Sequence, residues 1–392
     1  MSLLGIEIAD ERVSAGVFDI EGRLAGRGES SYAAERPGPG RVEVWMDRVW
    51  DALTDAVKCA ASEAADPVTA MSLAVRGDVA VAVDRDGNPL APSVLPEDTR
   101  SDDVARDFQE KVSPIEVMRV TGMPMGAGYP LLRLLWLREH DREVYRNTWK
   151  FMGWQDWVVS RLGAEPTTDP SLAGRTQMFD IINGVWADEI LDAAGIDRDR
   201  LSEVRPAGTL LGEISRTAAD ALGLPAGTKL VLGGEQQAVA ALGVGAAASG
   251  HALNCSDAAE HFVPAFHEPV VDVAMMKNGF SCTPHVVPEM FVSRTLNPTG
   301  GRVLDWYRHL TDNDDADGSV DVETLVDAMD DAPTDLMVLP YFGASGTPYH
   351  ETRPVGTVAG LSLETRRGTL LRALLEGLAL ETKLNTALLA ES

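Results

Sequence analysis

The sequence predicts an α/β protein with two domains, and three observations support this class. The 392 residues exceed the usual size of one domain, and a composition of 45% hydrophobic and 24% charged residues is typical of globular proteins. Strand-like and helix-like segments alternate, with hairpins at the start and crossovers later. The composition becomes rich in Gly and Ala over residues 233–250. We therefore place a first domain at residues 1–246 and a second at residues 247–392.

The first domain is predicted to begin with a β-meander, followed by a helix and two more strands. The predicted strands lie at residues 3–8, 13–19, 24–26, 70–75 and 79–84. Apolar residues at helical spacing predict a helix over residues 47–65. Residues 129–162 read as mostly helical, and we assign Trp154 and Trp157 to the core rather than to a ligand-stacking surface.

A strand, a glycine pair and a helix follow one another at residues 229–245, which read KLVLGGEQQAVAALGVG. Such a junction presents free backbone N–H groups and the side chains of the first helical turn at the carboxyl end of the strand. Glu235 and Gln236 are the polar side chains that begin this helix. Because neighbouring helical residues differ by about 100° in direction, we expect Glu235 to point away from Gln236.

The second domain is predicted to contain two strands and two helices. The strands lie at residues 251–254 and 336–341, and the helices at residues 303–310 and 369–389. Since the sequence ends within a few residues of the last helix, we expect this domain to be incomplete. The acidic segment at residues 313–321 is spaced like a calcium loop, but its twelfth position is Thr324 instead of Glu, which favours a solvated loop.

Charge and cysteine content restrict the partners and the compartment. A formal net charge of −26, with no run of Lys or Arg, disfavours binding to nucleic acid or to an anionic membrane. Cys59, Cys255 and Cys282 are too scattered for a disulfide framework or a paired metal motif. No apolar run is long enough to cross a bilayer. We therefore predict a cytoplasmic protein whose partners are small neutral ligands.

Several segments, in order along the chain, resemble the FGGY carbohydrate kinases of the actin-like ATPase superfamily. Besides the loop at residues 233–245, these are residues 40–43 (GRVE), 96–100 (PEDTR), 135–137 (LWL), 161–163 (RLG), 168–169 (TD), 223–228 (GLPAGT), 346–349 (GTPY) and 372–377 (RALLEG). The resemblance implies two actin-like, ribonuclease H-like domains around a cleft. It also implies a sugar bound mostly by the first domain and ATP with Mg²⁺ bound mostly by the second.

The resemblance also implies roles for residues on the phosphate side. Glu7, in place of an Asp, would hold the metal, and Asp10 stands where the family has a phosphate-binding hydroxyl. In the second phosphate loop, Asp257 and Ala258 replace a glycine and a hydroxyl residue. Two like charges about 4 Å apart repel by roughly 4 kcal/mol at an effective dielectric constant near 20, which disfavours a polyanion there. Thr299 and Gly300 are further candidates for phosphate contacts, because they precede the N-terminus of a predicted helix.

On the sugar side, the resemblance places Gln236 where the family has the Asp that takes the proton from the substrate hydroxyl. An amide cannot accept that proton at neutral pH, and Glu235 is the nearest carboxylate that could replace it. The remaining substrate candidates are charged residues that bind hydroxyl groups well, namely Arg76, Asp78, Asp98 and Arg100. The alternative for these four is an interdomain salt bridge.

Two hypotheses about function follow. The first is an ATP- and Mg²⁺-dependent kinase of a sugar or polyol with an unusual site, whose activity is weak. The second is a pseudokinase that needs no cofactor and binds a small polyol-like ligand or a protein partner, with cleft closure as the signal. The motif losses favour the second and the family favours the first. The sequence does not reveal which sugar is bound, and it leaves a homodimer open.

Overall fold

The computed structural model describes residues 1–9, 11–256, 259–311, 326–327, 329, 331–350 and 355–392. These residues form a mixed α/β protein that divides into two compact units. The first unit comprises Met1–Ser249, Ala265–Val271 and Cys282–Val292, and the second comprises Gly250–Pro264, Asp272–Ser281 and Ser293–Ser392. The two returns of the chain to the first unit after residue 249 were not expected, because short apolar segments do not indicate which core they join.

The strands are β1 (Ser2–Ile8), β2 (Arg12–Asp19), β3 (Leu24–Ser31), β4 (Glu43–Val44), β5 (Val68–Val75), β6 (Val81–Val83), β7 (Ser93–Val94), β8 (Lys150–Met152), β9 (Thr167–Thr168), β10 (Phe179–Asp180), β11 (Val185–Trp186), β12 (Glu203–Val204), β13 (Leu210–Glu213), β14 (Lys229–Val231), β15 (Gly234–Glu235), β16 (Ala252–Ser256), β17 (Glu260–Phe266), β18 (Ser281–Pro284), β19 (Phe291–Arg294), β20 (Met337–Leu339) and β21 (Thr357–Ala359). The α-helices are α1 (Met46–Glu63), α2 (Asp102–Gln109), α3 (Pro114–Thr121), α4 (Pro130–His140), α5 (Arg142–Asn147), α6 (Trp154–Arg161), α7 (Pro170–Ala173), α8 (Asp188–Ala194), α9 (Arg216–Leu222), α10 (Gln236–Gly243), α11 (Val273–Lys277), α12 (Arg302–Thr311) and α13 (Arg367–Glu391). Short 3-10 helices lie at Gly174–Thr176 and Arg198–Arg200.

The central sheet of the first unit has the order β13-β14-β5-β1-β2-β3, and β15 also pairs with β5. The predicted β-meander is confirmed, since β1, β2 and β3 pair antiparallel. Strand β5 runs parallel to β1, β14 and β15. Alternation along β1 buries Leu4, Ile6 and Ile8 on one face and leaves Gly5 and Glu7 on the other. The carboxyl ends of β1, β5 and β15 therefore lie at the same edge of the sheet.

Helix α1 covers the buried face of this sheet, and its predicted position is confirmed. Its apolar stripe is buried, including Val49, Leu53 and Val57. The helix packs closely on β3, because Gly26 and Gly28 carry no side chain at the contact. A Cβ atom on Gly28 would lie 2.0 Å from the carbonyl oxygen of Ala56 in α1.

We expect Gly28→Ala to lower the free energy of unfolding by about 1–3 kcal/mol, because the added methyl group overpacks this contact. Urea denaturation measures the change. Gly5→Ala is the matched control, since a Cβ atom on Gly5 meets nothing within 4 Å. The control should change the stability by less than about 0.5 kcal/mol. Equal losses in the two variants would contradict the close packing of α1 on β3.

One predicted region differs from the structure. Residues 129–162 form α4, α5 and α6, as expected, but the short strand β8 interrupts them. Phe151 of β8 pairs antiparallel with Ala82 of β6. A three-residue strand is too short to produce a period in the sequence, and only its long-range pairing defines it. The core assignment of Trp154 and Trp157 is confirmed, since both are 0% exposed.

The second unit contains α12 and α13 and the pair of strands β20 and β21, which are antiparallel. Its apolar core includes Val303, Tyr307, Val338, Leu371 and Leu374. The predicted helices at residues 303–310 and 369–389 are confirmed as α12 and α13. The acidic segment at residues 313–321, together with Thr324, lies outside the described residues.

Two further expectations concern membranes and disulfides. Within the described ranges, none of the helices combines the length and the apolar character needed to cross a membrane. None of the three cysteines forms a disulfide, and Cys282 is buried. Burial raises the pKa of the Cys282 thiol to about 12, so this thiol is unreactive at neutral pH.

Candidate functional site

Three parallel strands end together at one edge of the sheet in the first unit. Ile8 of β1 and Glu235 of β15 both align with Val75 of β5. The chain that leaves these strands therefore brings Ala9, Arg76 and Gln236 to the same edge. In α/β proteins, ligands bind at the carboxyl ends of parallel strands, so this edge is the candidate site.

The glycine pair before α10 is required by close packing. A Cβ atom on Gly233 would lie 1.7 Å from the carbonyl oxygen of Leu73 in β5. A Cβ atom on Gly234 would lie 2.4 Å from Cγ1 of Val286 and 2.8 Å from Oγ of Ser171. The end of the strand is therefore held on both sides, and the residues that follow it have a defined position.

Glu235 is the N-cap residue of α10. Its backbone is extended, with φ −63° and ψ 132°, and its Oε2 accepts hydrogen bonds from the N–H groups of Gln237 and Ala238. These bonds measure 2.8 Å and 3.0 Å. The expected angle of about 100° between Glu235 and Gln236 assumes that both residues are helical, whereas Glu235 ends β15 and only Gln236 belongs to the helix. The structure thus places a buried carboxylate at the N-terminus of α10, where the helix dipole stabilises negative charge.

Gln236 is the first residue of α10. Its Oε1 atom is buried and has no hydrogen-bond partner within the part of the chain that the structure describes. A buried acceptor without a partner is unusual and is a reason to look for a ligand. An amide oxygen in this position can accept a hydrogen bond from a hydroxyl group.

A buried ion pair between Arg175 and Asp78 lies next to Glu235, beyond the end of β5. Nε of Arg175 donates to Oδ1 of Asp78 over 2.8 Å, and Nη2 donates to Oδ2 over 3.1 Å. Cζ of Arg175 lies 5.5 Å from the centroid of the Tyr129 ring. A Cβ atom on Gly77 would lie 2.5 Å from Cγ of Arg175 and 3.5 Å from Cγ of Glu235. We call Asp78, Tyr129, Arg175 and Glu235 the Arg175 cluster.

Arg175 is the one cation of the Arg175 cluster, and Asp78 and Glu235 are its two carboxylates. Burial lowers the pKa of Arg175, but Asp78, Tyr129 and Glu235 together raise that pKa above its ordinary value. Asp78 and Glu235 are candidates from the sequence, whereas no sequence pattern indicates Arg175 or Tyr129. Arg175 lies six residues after Asp169 in a single 3-10 turn, and no local pattern connects it with Asp78, 97 residues away.

Arg76 has a different environment from Asp78. It borders a small cavity of about 30 Å³, which is also lined by Asp156 and Thr168. Its positive charge acts on Arg133, whose pKa is lowered to about 10, mainly by burial. Arg133 in turn donates to the backbone carbonyls of Asp78 and Leu95. Arg76 is therefore close to the edge of the sheet but faces this cavity.

Asp98 and Arg100 form a second buried ion pair. Arg100 donates to Asp98 over 2.8 Å and 2.7 Å and to Glu43 over 2.6 Å. Asp98 also accepts from the N–H of Val42, and its side chain is 0% exposed. Although burial raises the pKa of Asp98, the hydrogen bonds from Arg100 and Val42 lower that pKa below its ordinary value.

The alternative of an interdomain salt bridge needs correction, because both ion pairs form within the first unit. Asp78 pairs with Arg175 and Asp98 pairs with Arg100. The structure brings Asp78 together with Glu235, but it places Asp98 and Arg100 in a separate ion pair. The geometry favours a structural role for that separate pair.

Glu7 lies on the face of the sheet opposite to α1, between Ser14 and Ala74 on the neighbouring strands. It borders a mostly apolar groove of about 780 Å³. Among residues with described positions, no group of three or more His, Cys, Asp or Glu side chains could hold a metal ion. Magnesium commonly uses only one or two carboxylates plus substrate phosphates, so a single Glu7 fits that donor set. Asp10 lies outside the described residues.

Thr299 and Gly300 belong to the second unit. The Thr299 hydroxyl donates to the carbonyl of Pro340, and the Thr299 N–H donates to Oδ1 of Asn297 over 3.2 Å. Gly300 has φ +35°, and a Cβ atom on it would lie 2.5 Å from the backbone nitrogen of Glu260. The turn before α12 thus packs directly on Ala259 and Glu260 at the start of β17. Asp257 and Ala258 lie outside the described residues.

Asp169 is a buried carboxyl group next to this site. Burial raises its pKa from 3.8 to about 7, and the charge of Asp156 adds to the rise. An acid with a higher pKa in the folded state binds its proton more readily when folded. The stability contributed by this group is therefore present at low pH and is lost as the pH rises towards about 7.

We expect Asp169→Asn to flatten the decrease in stability between about pH 4 and pH 7, because the variant carries no buried charge. The difference in the free energy of unfolding between variant and wild type should change by a few kcal/mol over this range, on the order of 1.4 kcal/mol per pKa unit. Urea denaturation at several pH values measures it. Parallel profiles for variant and wild type would contradict the raised pKa of Asp169.

Comparison with known proteins gives two matches to models of one family. The model described as the FGGY family of carbohydrate kinases, N-terminal domain, matches residues 2–243. The model for the C-terminal domain of the same family matches residues 254–392.

Among curated proteins, autoinducer-2 kinase from Escherichia coli (strain K12) is 28% identical over 313 residues, or 78% of this chain and 58% of that protein. The same enzyme from Klebsiella pneumoniae is 28% identical over 318 residues. The chain thus spans less than two thirds of the length of these relatives.

Solved structures share the fold. The ligand-bound xylulose kinase from Lactobacillus acidophilus superposes with a TM-score of 0.85 at 21% identity, covering 96% of this chain and 76% of that one. Plasmodium falciparum glycerol kinase with ADP superposes with a TM-score of 0.84 at 18% identity, covering 100% of this chain and 78% of that one. The expected two-domain α/β fold is confirmed by these superpositions.

Proposed function

Because the chain belongs to the FGGY family of carbohydrate kinases, we propose that it transfers the γ-phosphoryl group of ATP to a hydroxyl of a sugar or polyol. The observation that supports this proposal is the pair of polar side chains where β15 meets α10. Glu235 supplies a carboxylate, and Gln236 supplies a buried amide oxygen with no partner among the residues described. Together they offer two adjacent acceptors to a polyhydroxylated ligand.

In this proposal, Glu235 replaces the carboxylate that the family carries at the position of Gln236. Its two hydrogen bonds from the N–H groups of Gln237 and Ala238 fix the direction of the carboxylate. Glu235 would accept the proton of the reacting hydroxyl, and Gln236 would orient a hydroxyl. Phosphoryl transfer depends mainly on positioning and charge stabilisation, so an oriented carboxylate meets its chief requirement.

The Arg175 cluster would hold the substrate at the same edge. Asp78 accepts and Arg175 donates hydrogen bonds, and both groups bind hydroxyls in buried sites. A pair of opposite charges keeps the neighbourhood of Glu235 close to neutral. A neutral sugar or polyol therefore suits this site better than a charged substrate does.

The proposed cofactors are ATP and Mg²⁺, which kinases of this family use. Magnesium supplies neutralisation of the phosphate charge when it is bound. Glu7 is the proposed metal ligand in the first unit. Thr299, Gly300 and the loop with Asp257 and Ala258 are the proposed phosphate contacts in the second unit, together with Asp10 of the first.

The test is ADP release by the full chain with MgATP and a panel of pentuloses, hexuloses and polyols. We expect ADP release that depends on one class of sugar and exceeds the rate without sugar at least tenfold. Glu235→Gln, purified in the same way, serves as the control for background ADP release. The absence of sugar-dependent ADP release across the panel would contradict the proposal.

A second candidate function is sugar binding without phosphoryl transfer. It is favoured by the amide at Gln236, which cannot accept a proton at neutral pH, and by the carboxylates of Asp10 and Asp257 in the sequence of the phosphate loops. Titration calorimetry separates the two candidates. Binding of both a sugar and MgATP supports the kinase, whereas sugar binding with no heat from MgATP supports the binding protein.

A further inference from the structure

The junction between β15 and α10 is tied to α7 by one serine hydroxyl. Oγ of Ser171 accepts a hydrogen bond of 2.9 Å from the backbone N–H of Glu235. The same oxygen donates a hydrogen bond of 2.7 Å to Oδ2 of Asp169. Because the Ser171 hydroxyl donates its hydrogen bond to Asp169, a lone pair of its oxygen is directed at the N–H of Glu235. Both side chains are buried, so this chain of bonds is shielded from water.

Asp169 is itself held in place. It is the N-cap residue of α7, and its carboxylate accepts hydrogen bonds from the backbone N–H groups of Ser171 and Leu172. These bonds measure 2.9 Å and 3.3 Å. With the Ser171 hydroxyl, three donors fix one carboxylate, which therefore has little freedom to rotate.

Packing at Gly234 leaves the junction no space to move towards this pair. A Cβ atom on Gly234 would lie 2.8 Å from Oγ of Ser171 and 3.2 Å from Oδ2 of Asp169. The backbone of β15 thus rests on the two side chains, and the Glu235 N–H has Ser171 as its hydrogen-bond acceptor. Loss of the hydroxyl would leave a buried N–H without that acceptor, which costs about 1–3 kcal/mol and favours a local shift of the backbone.

We propose that Ser171 and Asp169 are positioning residues that set the direction of Glu235 and Gln236 towards the substrate. This inference rests on the proposed phosphoryl transfer. The backbone of Glu235 is held by Ser171 on one side, and its carboxylate is held by the N–H groups of α10 on the other. A displacement of about 1 Å at such a residue lowers the rate of the chemical step about 100-fold.

The first test compares Ser171→Ala with Ser93→Ala. Ser93 is a matched control because its buried hydroxyl also donates and accepts, to the carbonyl of Ala80 over 3.0 Å and from Nε1 of Trp154 over 2.8 Å. We expect Ser171→Ala to lower kcat about 10- to 100-fold with KM within threefold, and Ser93→Ala to keep kcat within threefold. Both variants should lose similar stability. Equal kcat values for the two variants would overturn the proposal.

Conservative variants separate positioning from folding. Asp169→Asn keeps an acceptor oxygen for the Ser171 hydroxyl, so its kcat should stay within about fivefold of the wild-type kcat. In Asp169→Ala, kcat should fall as far as it does in Ser171→Ala. If Ser171→Ala does not fold, Ser171→Cys replaces it, because a thiol has nearly the same shape but is a poor hydrogen-bond partner. Full activity of Ser171→Cys would also overturn the proposal.

A second measurement does not depend on phosphoryl transfer. Amide hydrogen exchange resolved at the Glu235 N–H by NMR reports on this contact directly. We expect at least tenfold faster exchange at this site in Ser171→Ala and no change in Ser93→Ala. If the wild type releases no ADP, the proposed function fails, but the exchange measurement still tests whether Ser171 holds the backbone of Glu235. Unchanged exchange in Ser171→Ala would refute the positioning role of Ser171.

Discussion

Glu235→Gln is expected to lower kcat for sugar-dependent ADP release by about 100- to 10,000-fold, the usual contribution of a positioned general base. Gln keeps a side-chain oxygen that can accept from the N–H groups of Gln237 and Ala238, so the cap of α10 is retained. The free energy of unfolding should therefore change by less than about 1 kcal/mol. Sugar affinity should change only a few fold, since the amide still hydrogen-bonds a hydroxyl. Steady-state kinetics and urea denaturation measure these quantities.

Asp141→Asn is the matched control for this variant. Asp141 is also a carboxylate N-cap, which accepts from the N–H of Val144 over 3.2 Å at the start of α5. The same change of carboxylate to amide there should leave kcat unaltered. If Glu235→Gln retained wild-type kcat, or if both variants lost activity equally, Glu235 would not be the acceptor of the hydroxyl proton.

Arg175→Met is expected to have the largest effect on stability. The Arg175 side chain is 3% exposed and that of Asp78 is 12% exposed, so the variant leaves a carboxylate buried without its partner. Breaking such a buried pair lowers the free energy of unfolding by about 3–5 kcal/mol. The loss should also weaken sugar binding, because the Arg175 cluster no longer holds Asp78 and Glu235 in place. Chemical denaturation and titration calorimetry measure the two effects.

Two comparisons give this expectation its controls. Arg205 forms an exposed ion pair with Glu203, and Arg205→Met should cost no more than about 1 kcal/mol. The double variant Asp78→Asn/Arg175→Met should be more stable than Arg175→Met alone, since it removes the buried charge that has lost the Arg175 guanidinium. A cost of Arg175→Met no greater than that of Arg205→Met would show that the buried pair does not stabilise the first unit.

Local patterns predicted the elements that frame the site. The strand, the glycine pair and the helix at residues 229–245 were identified because apolar alternation, glycine and helix-forming residues follow one another there. The sequence pattern places the start of this helix one residue too early, at Glu235, which the structure shows to be the N-cap. That single residue changes which side chain faces the N-terminus of α10, and helix ends are the least certain part of any sequence analysis.

Long-range contacts could not be predicted from one sequence. Asp78 was proposed as a hydroxyl binder, but its partner Arg175 comes from a 3-10 turn on a distant segment. Ser171 has an ordinary sequence context, and only the fold brings its hydroxyl to the backbone of Glu235. Asp98 and Arg100, which the sequence assigns to the substrate, pair with each other in the structure, and their role towards a substrate stays a prediction. Pairing of buried charges depends on tertiary structure, which the sequence pattern does not contain.

We propose that Glu235, and not residue 236, supplies the carboxylate of this site. The most direct measurement is the turnover of Gln236→Asp compared with wild type under identical MgATP and sugar concentrations. We expect equal or lower turnover in the variant, because a second carboxylate beside Glu235 adds repulsion between like charges. A tenfold or greater increase in turnover would contradict the claim and would show that the missing carboxylate belongs at position 236.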